Sequence, residues 1–175
     1  MAKKNSKRGV LGTTIDYTLA APVSEKVSIR DVRLISSKCS QTPNAGRGKH
    51  SLKINCEIKT KVDKKKGYII VFPSFKLEGF PLERKQKKPD LVIEATFAIR
   101  YEAERLEGLK RGNFEAFAQA NGVYNAWPYL REFVQNTVAR MNLPPMIIPV
   151  FRLVHEGAKK SKTKKKKNIK GKTSV

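Results

Sequence analysis

Cysteine and histidine are scarce in this chain. It has two of each: Cys39, Cys56, His50 and His155. Two cysteines with no Cys–Cys or His–Cys ligand spacing exclude a disulfide framework and a zinc-finger type of site. A chain without such a framework suits a reducing, cytoplasmic setting. His50 falls in an expected loop and His155 at the edge of a lysine-rich segment. Neither has a Cys, Asp or Glu at a spacing that suggests a triad, so both read as solvated surface groups. No stretch approaches the roughly 20 apolar residues of a membrane-spanning helix. MAKKNSKRG has the look of a signal-peptide n-region, but Asp16 and interspersed threonines break up the apolar stretch after it, so no secretory signal is expected.

Acidic residues are the other shortage. Asp and Glu total 15 against 37 Lys and Arg, a formal net charge of +22. Residues 2–9 hold Lys3, Lys4, Lys7 and Arg8, and residues 158–175 hold nine lysines and no acid. More than half of the excess charge therefore lies in two segments too poor in apolar residues to offset the entropy of ordering. The expected organisation is a basic N-terminal tail over 1–9, one α+β domain over 10–157 and a lysine-rich tail over 158–175. Such tails, with further clusters at Lys64–Lys66 and Arg84–Lys88, suit nonspecific, salt-dependent contact with nucleic acid or ribosome. The C-terminal tail has no aromatic residue to stack on bases, and its single Ile169 does not make a membrane anchor.

What is abundant is alternation. Leu52, Ile54, Cys56, Ile58, Thr60 and Val62 alternate with polar residues, and so do Leu91, Ile93, Ala95, Phe97, Ile99 and Tyr101. Each series predicts a strand with one face on a core. Residues 26–41 form a broken alternation in which Val27 and Ile29 are out of phase with Val32 and Leu34, so a bulge is expected near Asp31. Tyr68–Phe72 is a continuous apolar run, expected to be covered on both faces, and Pro73 is expected to separate it from a second extended piece, Phe75–Phe80. Gly67 closes the turn DKKKG. AGRGKH has the composition of a phosphate loop without its spacing, and it precedes a strand instead of a helix. No catalytic constellation, cofactor or metal is implied, and the chain is not expected to be an enzyme.

The C-terminal third turns helical. Asn113 is expected to cap a short helix that Gly122 closes. Tyr124, Trp127, Leu130, Phe133, Val134, Val138 and Met141 then mark one face of a long helix, with Pro128 in its first turn. Pro144 and Pro145 forbid continuation, so it should end near Met141 or Asn142, and an apolar strand is expected from Met146 to Leu153. The expected fold is α+β: a four-stranded antiparallel sheet followed by a short and a long helix packed on one face.

The run Pro128, Tyr129, Arg131, Glu132, then Pro144, Pro149 and Phe151 resembles the SecB family of export chaperones, in which a Pro-aromatic-x-Arg-Glu run opens the long packing helix and a proline-spaced stretch follows it. The resemblance covers about thirty residues closely and agrees with the order of strands before helices. It implies an ATP-independent holdase, assembled as a dimer of dimers, that holds unfolded or nascent polypeptides in apolar grooves. Phe75, Leu77, Phe80, Trp127 and Tyr129 become the candidate client contacts. Pro128, Tyr129, Arg131, Glu132, Pro144 and Pro149 become the motif and assembly residues. The charge departs from the family's usual acidity: Lys53, Lys59 and Lys61 on the second strand speak against docking to the motor SecA. A further helix usual in the family after the Pro-x-x-Phe stretch is missing or very short here. Service to a toxin–antitoxin pair is the alternative within the family, and a basic nucleic-acid- or ribosome-binding protein the alternative outside it.

Overall fold

The computed structural model describes residues 17–82 and 88–151. Both expected tails and the segment beyond Phe151 lie outside these residues, and so does the greater part of the Arg84–Lys88 cluster. The elements run α1 (Tyr17–Ser24), β1 (Val27–Gln41), β2 (His50–Asp63), β3 (Tyr68–Pro81), β4 (Leu91–Ala103), α2 (Arg111–Phe117), a π-helical turn (Ala118–Gly122) and α3 (Val123–Arg140). The fold is the expected α+β sheet with helices on one face, preceded by one short helix that the sequence reading missed. α1 is held by Asn113 Nδ2, which donates to Leu19 O at 3.0 Å, and by the burial of Ala20 and Val23.

All strand pairs are antiparallel, in the order β1-β4-β3-β2. β2, β3 and β4 form a meander, but β1 pairs with β4, so the loop over 42–49 crosses from one edge of the sheet to the other. Successive strands joined by short loops do not reveal such a crossover. The expected bulge falls between Ile29 and Asp31, and a second one between Leu34 and Ser36. The first bulge brings Ile29 into phase with Val32 and Leu34 on the helix side of the sheet, opposite Tyr101, Ile99 and Phe97.

Pro73 does not divide β3, which runs unbroken for 14 residues. Its register with β2 continues through Pro73, opposite Ile58, while the ladder to β4 is unpaired at Phe72 and Pro73. The proline thus costs the central strand one stretch of ladder without ending it. Nor is Tyr68–Phe72 covered on both faces: Ile69 and Val71 are buried, while Tyr68, Ile70 and Phe72 on the far face are half-buried. The core lies between the near face and the helices, where Leu77, Ile93, Ile99 and Tyr101 meet Phe117, Leu130 and Val134.

Gly122 does not close a helix. Its φ of −62° is helical, and the helix runs on from Arg111 to Arg140. A Cβ on Gly122 would lie 2.6 Å from Val71 Cγ1, so the missing side chain serves close approach of helix to sheet. Asn113 takes the third helical position instead of the cap, and its Oδ1 accepts from Lys110 N at 2.9 Å. Pro128 lies inside α3 and not in its first turn. The helix stops as expected: Met141 is the cap and Asn142 takes a φ of 55°.

Candidate functional site: two apolar grooves beside the exit segment

Residues 143–151 leave α3 as an extended segment outside the sheet, so the expected strand is not a ladder strand over its described part. Side chains of the helix take over the role of ladder partners. Trp127 Nε1 donates to Pro149 O at 2.8 Å, and Arg131 Nε donates to Ile148 O at 2.9 Å. Gln41 Nε2 donates to Met141 O at 3.1 Å, tying the end of β1 to the end of the helix. Two of the residues that carried the family resemblance have a local task in this fold: Arg131 pins the exit segment beside Trp127, and the Pro149 carbonyl receives the Trp127 bond. Glu132 stands exposed and accepts a hydrogen bond from Asn136 Nδ2.

A groove opens on each side of this segment. The first, about 390 Å³, lies between β1, α3 and the end of the segment, with Ile29, Val32, Trp127, Tyr129, Val150 and Phe151 on its walls. Aromatic rings support it from below: Trp127 packs on Phe151 at 5.2 Å and edge-on against Phe75 at 6.0 Å, contacts worth about 0.5–1.5 kcal/mol each beyond area burial. Tyr101 braces the same wall, because its hydroxyl accepts from Asn125 Nδ2 at 3.0 Å. Burial pushes the Tyr101 phenol up to about 12, against a smaller lowering by the Asn125 bond. Tyr124, assigned to the packing face of the helix by its spacing, stands 53 % exposed on this rim.

The second groove, about 310 Å³, lies between the crossover loop, the ends of β2 and β3 and the start of the exit segment. Gly46, with a φ of 82°, lets the loop run close to the segment: a Cβ there would lie 3.0 Å from Leu143 Cδ2 and 3.2 Å from Pro144 Cδ. His50 lines the groove, its Nε2 3.5 Å from Oδ2 of the buried Asp90. Asp90 Oδ1 accepts from Thr42 Oγ1 at 2.9 Å, and Thr42 N donates to Asp90 O at 2.8 Å, so Asp90 anchors the start of the crossover twice and stands beside His50 at its end. His50 is thus half-buried at the end of a strand instead of solvated in a loop.

Of the five candidate client contacts, the structure brings Trp127 and Tyr129 together on the first groove. Phe75 and Leu77 lie in the core at 2 % and 0 % exposure, and Phe75 reaches the groove only as a support for Trp127. Phe80 is half-buried on the sheet face away from the helices. The walls given by β1 and by the crossover loop were not singled out from sequence. Ile29 and Val32, apolar residues displaced in phase by a bulge on an edge strand, were the available signal. The motif's Pro144 lines the second groove. Cys56, near the middle of β2, is pushed up to about 12, chiefly by burial and secondarily by Glu57. Among the described residues no group of His, Cys, Asp and Glu is arranged to hold a metal ion, and no helix is long and apolar enough to cross a membrane.

No protein-family model matches the chain, and no curated protein matches it. Among solved structures, it is similar to the Mycobacterium tuberculosis Rv1957 SecB-like chaperone in complex with a ChAD peptide from the Rv1956 HigA1 antitoxin. The TM-score is 0.69 at 20% identity, over 77% of this chain and 96% of that one. It is also similar to a Streptococcus agalactiae protein of unknown function, with a TM-score of 0.41 at 8% identity over 71% of this chain and 97% of that one. The first likeness spans nearly the whole of the other chain, and the fold is SecB-like.

Proposed function

We propose that this protein is an ATP-independent holdase of the SecB-like kind, which keeps client polypeptides unfolded by seating their apolar segments in the two grooves beside residues 143–151. One observation carries the reading. On a SecB-like fold, a groove walled by Ile29, Val32, Trp127, Tyr129 and Val150 lies next to the outer edge of β1, which pairs with no strand among the described residues. Apolar walls accept many side chains, and an unpaired strand edge offers main-chain hydrogen bonds to any sequence, the combination that promiscuous binding of extended chains requires. Release then follows from competition or handover. The edge of β1, with Ile29, Leu34 and Ile35 each at least 44 % exposed, also supports assembly of copies into a homo-oligomer.

A second reading lies within the first: a dedicated antitoxin client instead of general export. The antitoxin peptide held by the similar mycobacterial chaperone favours it. The holdase reading is tested by light scattering of a chemically unfolded client, diluted into stoichiometric protein without ATP. Suppressed aggregation is expected, and Tyr129→Glu with Val150→Glu, both at exposed positions, should remove most of it while leaving the thermal transition in place. Equal aggregation with and without the wild-type protein sinks the proposal.

A further inference from the structure

The charge around the second groove is one-sided. The segments that form it, 42–54, 79–82, 88–91 and 139–148, contain a single acid, Asp90. That carboxylate is 2 % exposed and faces His50 and Thr42. The same segments carry Arg47, Lys49, Lys88 and Arg140, all exposed, while Lys53 lies on the other face of the sheet, opposite Glu78. The crossover loop thus sets Arg47 and Lys49 on either side of the lining residue Gly48, and the described segments of the groove hold no exposed acid. The chain's general basicity does not account for this. The polar cleft at the other end of the sheet sets Glu25, Glu102 and Glu104 beside Lys26 and Arg105.

From this we infer that the second groove selects client segments in which a short apolar core is flanked by acidic residues. The inference rests on the holdase reading and names the class of client. The volume, about 310 Å³, suits one or two bulky apolar side chains. Field lines from Arg47 and Lys49 reach the residues on either side of such a core, where opposite charge steers association and like charge suppresses it. The same complementarity rules out the two nearest competitors. A second copy of the chain brings an equally cationic rim, and the chain's own terminal segments are lysine-rich, with no acid in 158–175. A plain polyanion leaves Leu52, Leu91, Leu143 and Met146 without an apolar partner.

The test uses the full chain and two synthetic peptides with one Leu–Trp–Leu core, one flanked on both sides by glutamates and the other by lysines, read by fluorescence anisotropy. The glutamate peptide is expected to bind on the order of tenfold tighter at low salt, with the gap closing near 1 M salt, where the screening length is about 3 Å. Arg47→Glu and Lys49→Glu together should reverse the preference, an effect the lysine-rich tails cannot produce. Equal binding of the two peptides, or a preference that survives the double substitution, overturns the inference and leaves the holdase reading standing. Binding of neither peptide counts against the holdase reading itself. A glutamate peptide with serines in place of its core that binds as well as the original, or single-stranded poly(U) that binds more tightly than the original, assigns the groove to polyanions and also overturns the inference.

Discussion

Gly122 and Val71 set how closely the helix approaches the sheet. With only 2.6 Å available to a Cβ, Gly122→Ala has to push the helix outward or force Val71 off its rotamer. A loss of about 1–3 kcal/mol is expected from such overpacking, read as a lower urea midpoint at unchanged slope; a midpoint at or above wild type refutes the packing role. Tyr101 is the residue to follow at high pH. Its phenol is raised in the folded chain from 10.0 to about 12, so its contribution is fully present below pH 10 and is lost as pH rises toward 12. Cys56, raised from 9.0 to about 12, adds a loss of the same sign. The share of Tyr101, about 2–3 kcal/mol at roughly 1.4 kcal/mol per pH unit, should be missing from the alkaline limb of a Tyr101→Phe variant. Superimposable limbs for the two proteins exclude it.

At the scale of elements, the exit segment is the unusual part. It belongs to no ladder, and two side-chain donors of α3 fix its place between the grooves. Removing one donor should loosen the segment without unfolding the domain, because the core lies between sheet and helices and the segment adds to it one buried side chain, Ile148. For Arg131→Ala a modest loss of about 1–2 kcal/mol is expected, with clearly faster limited proteolysis within 143–151 and a still cooperative thermal transition. Unchanged cleavage would show that Arg131 does not hold the segment. β3 makes a related point. Pro73 was a sound reason to expect a break, since a proline in a central strand loses a ladder bond. It is tolerated because the β2 register on the other side stays intact, with Phe72 opposite Lys59 and Ser74 opposite Glu57.

For the whole molecule, the strand order decides what is exposed. With β4 and β3 inside, β1 and β2 become the edges, and each edge runs beside one groove. β1 is the more apolar edge, so Ile29→Lys with Ile35→Lys should lower the mass measured by light scattering while the circular dichroism spectrum stays unchanged. A wild-type protein that is already a monomer removes the proposal of a homo-oligomer. Much of this architecture was legible in the sequence. Alternation located β2 and β4, the phase shift located the bulge near Asp31, and the double proline located the end of α3. The grooves were only half legible: Trp127 and Tyr129 were found, whereas Phe75 and Leu77, equally apolar, turned out to be core. Apolar character alone does not separate a wall open to solvent from one covered by a helix.

The sequence by itself determined the features that are local in the chain. Side-chain period in β2 and β4, the turn at Gly67 and the helix stop before Pro144 depend on neighbours within a few residues, and they hold in the structure. The tertiary structure decided what depends on distant partners. β1 pairs with β4 instead of β2 because the chain crosses the sheet over 42–49. Gly122 continues a helix because Val71, fifty-one positions earlier, leaves no room for a side chain. Asp90, Thr42 and His50, separate in sequence, meet at the base of a groove. Each of these follows from packing between elements, where chain separation carries little information and surface complementarity decides.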